Sequence, residues 1–207
     1  MICSPPFISR HLTADEPTTC KSMISSGDII NILTSPLVDR IDFCMGPASG
    51  MVRVYPAGYH AIANRIRDGS IALESATDLP SNVSASFRTH PPMRPVIVTN
   101  RAASATSLES QMTIIHECTH ALFNYNGIML PTLYNETMCF IAEAVYLEAG
   151  RATGRWHQCL PSNFDVYESI SRITRQIVTG TRYEVIEWDR EIRLLMNELG
   201  GRYHLYR

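Results

Sequence analysis

Ile115-His116-Glu117-Cys118-Thr119-His120-Ala121 carries an HExxH pattern, and its reading decides how the rest of the chain is read. Residues four apart on an α-helix share a face, about 6 Å apart along the axis at ~1.5 Å rise per residue, so His116 and His120 can grip one ion. Glu117 sits on the same turn. It can stay off the metal and polarise a metal-bound water, whose pKa a zinc ion lowers to about 7. Two imidazoles and one carboxylate at this spacing therefore point to one zinc ion per chain, with His116 and His120 as ligands and Glu117 as general base.

The flanking residues predict the helix that this reading needs. Thr106-Ser107-Leu108-Glu109 reads as a capping box and Gly127 as a stop, which frames a helix of about twenty residues. Met112, Ile115, Thr119 and Leu122 form one stripe, and Ile114, Cys118, Ala121 and Tyr125 form another, so the helix is expected to be buried on most sides. Buried imidazoles and carboxylates cost several kcal/mol unless paired or metal-bound. The alternative is a pair of core histidines hydrogen-bonded to nearby carbonyls.

A catalytic zinc takes three protein ligands and keeps one position for water. Pro131 to Gly150 reads as a second helix, with proline in its first turn and glycine as its stop. Glu136 and Glu143, seven apart, share a face beside the apolar Phe140, Ala144 and Leu147. The short connection from Gly127 to Leu130 makes the two helices antiparallel or steeply crossed neighbours, which brings an early carboxylate of the second towards the histidines. Glu143 is the rival third ligand, and either carboxylate could instead be a buried ion-pair partner.

HECTHA, a short loop, and a helix carrying Asn135-Glu136 and then Cys139-Phe140-Ile141-Ala142-Glu143-Ala144 resemble the gluzincin branch of zinc metallopeptidases. The stretch is more similar to small bacterial metallopeptidase-like domains, some attached to secreted toxins, than to thermolysin itself. The resemblance spans residues 111–150. It implies His116 and His120 as ligands, Glu117 as general base and Glu136 as third ligand, in a zincin-like fold with strands before the HExxH helix. It also implies that one strand lies along the cleft as an edge, where an extended peptide could add by backbone hydrogen bonds. One position departs from the pattern: thermolysin-type members carry an Asp four residues after the ligand Glu, and Phe140 stands there. The group that orients a histidine is therefore left open.

Cys118 and Cys139 lie close to this constellation and read first as small buried hydrophobes. The six cysteines contain no CxxC pair, which argues against a structural zinc module and against a dense disulfide framework. His157, Tyr146 and Tyr183 are candidates for the oxyanion donor that such a reaction needs.

At 207 residues with 45% apolar content, the chain is long enough for one domain with a core. A formal net charge of −2, with no basic stripe, gives no support for nucleic acid as a partner, and no apolar run is long enough to span a bilayer. The N-terminus lacks the pattern of a signal peptide, so cytoplasmic synthesis is expected, with any export non-classical. Lys21 is the lone lysine among 18 lysines and arginines. Coding bias explains that, or delivery into a host cell where few lysines mean few ubiquitination sites.

Residues 1–27, rich in Pro, Ser and Thr, read as an irregular arm, and 28–207 as a single domain. Helices are expected at Asp28 to Leu33 and Gly58 to Arg67. Strands are expected at Met51 to Tyr55, Ser70 to Glu74, Ser84 to Thr89 and Pro95 to Thr99. Further on, Val166, Ile170, Ile173 and Ile177 mark a packing helix ending at Gly180. Val185, Trp188, Ile192, Leu195 and Leu199 mark another ending at Gly200-Gly201. The expectation is an α+β, zincin-like domain with a small mixed sheet, an HExxH helix, a following Glu-bearing helix and C-terminal packing helices. Its expected activity is zinc-dependent hydrolysis of a polypeptide substrate. The alternatives are a catalytically silent zincin-fold binding module, or an effector with a narrow target and a cognate inhibitor.

Overall fold

The computed structural model describes residues 23–46, 51–79, 84–89, 92–156, 167–168, 170–180 and 190–203. Among these the fold is α+β. Helix α1 (Ser26–Leu33), a 3-10 turn (Val38–Arg40), the hairpin strands β1 (Phe43–Met45) and β2 (Val52–Val54), and helix α2 (Pro56–Arg67) come first. Strands β3 (Ala72–Ala76), β4 (Ala85–Arg88) and β5 (Val96–Asn100) follow, then α3 (Leu108–Tyr125), α4 (Thr132–Ala152), α5 (Ser171–Val178) and α6 (Arg190–Tyr203).

Local chemistry explains the helix ends. Ser25 and Asp28 cap α1 reciprocally, so the helix starts at Ser26, inside what the sequence reads as the arm. The start of α3 is capped by Ser107, whose hydroxyl accepts from Ser110 N–H, in place of the expected Thr106 to Glu109 box. Its end is a Schellman motif: Ile128 N–H donates to Phe123 O, Gly127 N–H donates to Asn124 O, and Gly127 takes a φ of 64°. This turn reverses the chain within a few residues, so α3 packs more extensively against α4 than against any other element.

Two glycine stops expected from the sequence are not stops. Helix α4 runs through Gly150 to Ala152, and a Cβ at Gly150 would lie 2.0 Å from Cε3 of Trp156. Gly150 therefore serves the close approach of the indole. Likewise α6 continues through Gly200-Gly201 to Tyr203, because Ile192, Leu195 and Leu199 on its inner face are fully buried and hold the end of the helix down. Val166, Val185 and Trp188 lie outside the described residues, while Ile170, Ile173 and Ile177 are buried as expected.

Among the described residues, helix α4 packs against α3, α5, α6 and the 3-10 turn. The three-stranded sheet has the order β3-β5-β4, parallel between β3 and β5 and antiparallel between β5 and β4. Strand β3 lies two residues later than expected, since Ala72 to Ala76 is the segment that pairs with Val96 to Asn100. The β1–β2 hairpin is separate, and β1 is not evident in the sequence. Among the described residues strand β4 is thus an edge, and α3 packs against it. Among the described residues no helix is long and apolar enough to cross a membrane.

Candidate metal centre

The buried middle of α3 and the first half of α4 bring four predicted site residues together. His116 and His120 stand one turn apart with ring centroids 4.8 Å apart and planes 68° from parallel. Both rings present Nε2 to the same carboxylate: His116 Nε2 lies 3.3 Å from Glu136 Oε2, and His120 Nε2 lies 3.4 Å from Glu136 Oε1. The opposite edge of each ring is held by an acceptor. Glu143 Oε1 lies 2.8 Å from His116 Nδ1, and Asn135 Oδ1 lies 2.8 Å from His120 Nδ1.

These contacts set the tautomers. A ring that donates Nδ1–H to Glu143 or Asn135 leaves, in its neutral form, a lone pair on Nε2. Two such lone pairs would face the oxygens of Glu136, an arrangement that repels unless a proton or a cation sits among the three groups. In the bare protein a proton does this. Burial by itself would lower the His116 pKa, but the Glu143 charge and the hydrogen bonds that His116 donates to Glu136 and Glu143 outweigh it and hold it well above the usual histidine value. Burial and then the charge on His116 push His120 down to about 4. Burial would raise Glu136, yet the hydrogen bond and charge of His116 leave it below the usual carboxylate value.

Glu143 is 6% exposed and accepts a second hydrogen bond, from the Tyr167 hydroxyl, so both of its oxygens are engaged. The sequence offered Glu143 as a rival third ligand; it lies on the Nδ1 edge of His116, away from the convergence of Nε2 atoms. Phe140 packs edge-on against His116 with centroids 5.0 Å apart. It walls the ring while Glu143, one turn further along α4, orients it.

Glu117 points to the sheet side of α3. Its Oε2 accepts from the main-chain N–H of Phe87 at 2.6 Å, and burial pushes its pKa up to about 7 against the opposing His116 charge and the Phe87 hydrogen bond. Helix α3 is pinned to α2 from behind. Thr119 Oγ1 donates to Ile115 O at 2.8 Å, so the fully buried Tyr59 hydroxyl, 2.7 Å from Thr119 Oγ1, donates to the threonine oxygen.

His116, Glu117, His120 and Glu136 line one cavity of about 530 Å³. Ser86, Phe87 and Thr89, on and just past β4, form one wall, and Ile128, Met129 and Leu130 of the α3–α4 connection form another.

The side chains of His116, His120 and Cys139 form a group that could hold a metal ion. Cys139 approaches from the Nδ1 side, with Sγ 3.5 Å from His120 Nδ1 and 3.7 Å from Asn135 Oδ1. Burial raises its pKa well above the usual thiol value, which keeps the sulfur protonated in the bare protein. The Nε2 atoms, by contrast, converge on Glu136. Cys118 is fully buried away from this convergence, as a small hydrophobe.

Of the oxyanion candidates, Tyr146 is buried, donates to Gln111 Oε1 at 2.9 Å and lines a different cavity of about 260 Å³, so it is not part of this site. His157 and Tyr183 lie outside the described residues. Sequence reasoning did not find Asn135, Tyr167 or the Phe87 amide as site groups. Asn135 adjoins Glu136 and was available as a signal; the other two come from distant segments and left none. No protein-family model, curated protein or solved structure matches the chain.

Proposed function

We propose that this chain is a zinc-dependent hydrolase acting on peptide bonds, with His116, His120 and Glu136 holding the ion and Glu117 as general base. One observation carries the reading: two oriented Nε2 atoms converge on a single carboxylate at 3.3 and 3.4 Å. Ligand atoms about 2.0–2.1 Å from a tetrahedral zinc stand about 3.3 Å from one another, and each Nε2 stands at about that distance from one oxygen of Glu136, which supports a His₂Glu donor set.

A zinc ion held there would supply Lewis acidity, polarising a carbonyl and lowering the pKa of water at the site to about 7. The remaining work belongs to the chain. Glu143 and Asn135 fix the two imidazoles with Nε2 facing the cavity, and Tyr167 and Phe140 keep Glu143 and His116 from turning. Glu117 does not share the Nε2 convergence, and its carboxylate is therefore left to take a proton from water as that water attacks a carbonyl. The open cavity beside an edge strand suits an extended polypeptide.

Elemental analysis of protein purified without added metal tests the reading, together with hydrolysis of a peptide library. About one zinc per chain is expected, lost in the double replacement His116→Ala, His120→Ala. Full occupancy in that variant would remove the histidines from the metal. A zinc-loaded parent that hydrolyses nothing would favour a binding module, or an effector with a narrow target.

A further inference from the structure

Glu117 is held from outside its own helix, by a group with no side-chain identity. In the antiparallel pair β4–β5, Asn100 N–H donates to Ser84 O at 2.8 Å, and Phe87 stands opposite Ile97. Residues whose main-chain groups face the partner alternate along such a strand, so Ser84, Ser86 and Arg88 turn theirs to β5 and Phe87 turns its own outward. An outward amide on an edge strand ordinarily goes to water or to an added chain. This one donates to Glu117 Oε2 at 2.6 Å, while Oε1 makes no hydrogen bond among the described residues.

We propose that the main-chain amide of Phe87 is the positioning group for Glu117, fixing one carboxylate oxygen on the edge strand so that the other is presented to the reacting water. This rests on the reading of the site as a peptidase. A glutamate side chain has three rotatable torsions, and a base displaced by about 1 Å loses much of its effect on rate. The rest of the constellation is fixed by side chains on α4, with Tyr167 holding Glu143. Glu117 alone takes its orientation from the sheet, so the approach of β4 to α3 sets the geometry of the base. The amide also ceases to be free for an incoming peptide, which must pair with β4 through other groups.

Two measurements test this. Amide hydrogen exchange at Phe87 should be slow in the full-length parent, with or without zinc, and faster by about 10- to 100-fold in Glu117→Ala, where the acceptor is gone. Replacing residue 87 by its α-hydroxy acid analogue, phenyllactic acid, removes the N–H and keeps the side chain. Phe87→Pro removes it too, at an edge position whose amide does not serve the ladder. Both should lower kcat by about 10- to 100-fold while KM and zinc content stay near those of the parent. A change in KM or zinc content with kcat intact would overturn the proposal. So would Phe87 exchange that is equal in parent and Glu117→Ala, and this arm decides even if the backbone variants fail to fold. A parent that hydrolyses no peptide overturns the peptidase reading and this inference with it, whereas equal exchange overturns the inference alone.

Discussion

Glu136 and Glu143, two turns apart on α4, grip opposite edges of the same imidazole: Glu136 Oε2 lies 3.3 Å from His116 Nε2, and Glu143 Oε1 lies 2.8 Å from His116 Nδ1. Two carboxylates that compete for one role in the sequence thus take two different positions around one ring.

The first prediction follows from that division. Glu136→Ala should weaken zinc affinity by orders of magnitude, whereas Glu143→Ala, which leaves Nε2 in place but unoriented, should cost about 10- to 100-fold. Tyr167→Phe removes one of the two groups holding Glu143 and should cost less than Glu143→Ala. A chelator titration that ranks Glu143 above Glu136 would transfer the ligand role to Glu143.

Glu117→Gln keeps the size of the side chain and an oxygen for the Phe87 amide, yet cannot accept the proton. It should retain zinc and lose about 10²- to 10⁴-fold in kcat on any peptide the parent cleaves. Equal rates for parent and variant in a continuous peptide assay would make Glu117 structural.

Zinc binding should release a proton near pH 7. The raised pKa of His116 leaves it an imidazolium in the bare protein, and a ligand nitrogen must be free of its proton. Affinity should therefore climb with pH until the His116 value is passed. Stability of the bare protein has the opposite slope. The contribution of charged His116 is fully present below the unfolded histidine value of about 6.5 and is lost as pH rises through the raised folded value. Titration calorimetry in two buffers of different ionisation enthalpy counts the proton; an identical heat in both at pH 7 would contradict the assignment.

Gly150→Ala should destabilise the fold without touching the metal site. The added Cβ would stand 2.0 Å from the Trp156 ring, which is 7% exposed and packs on Tyr146 with centroids 5.3 Å apart, so the indole has little room to move. Overpacking of this kind costs about 1–3 kcal/mol, which urea unfolding would register; an unchanged midpoint would mean that Trp156 repacks freely.

The sequence by itself determined the HExxH helix and the Glu-bearing helix after it, because both rest on local rules: a 3.6-residue period, caps, and a glycine that takes a positive φ at Gly127. It also placed His116 and His120 on one face of the first helix and Glu136 and Glu143 on one face of the second. Rings have two nitrogens, and which one meets which carboxylate depends on how α3 crosses α4. That crossing is fixed by side-chain packing between the helices, so only the tertiary structure assigned Glu136 to the Nε2 side and Glu143 to the Nδ1 side. The parallel β3–β5 pairing passes over β4 in the chain, and no local period encodes such a crossover. Tyr167 reaches Glu143 across 24 residues and Phe87 reaches Glu117 across 30. Contacts at that separation are decided by which surfaces bury each other in the folded chain, and they become visible only once it has folded.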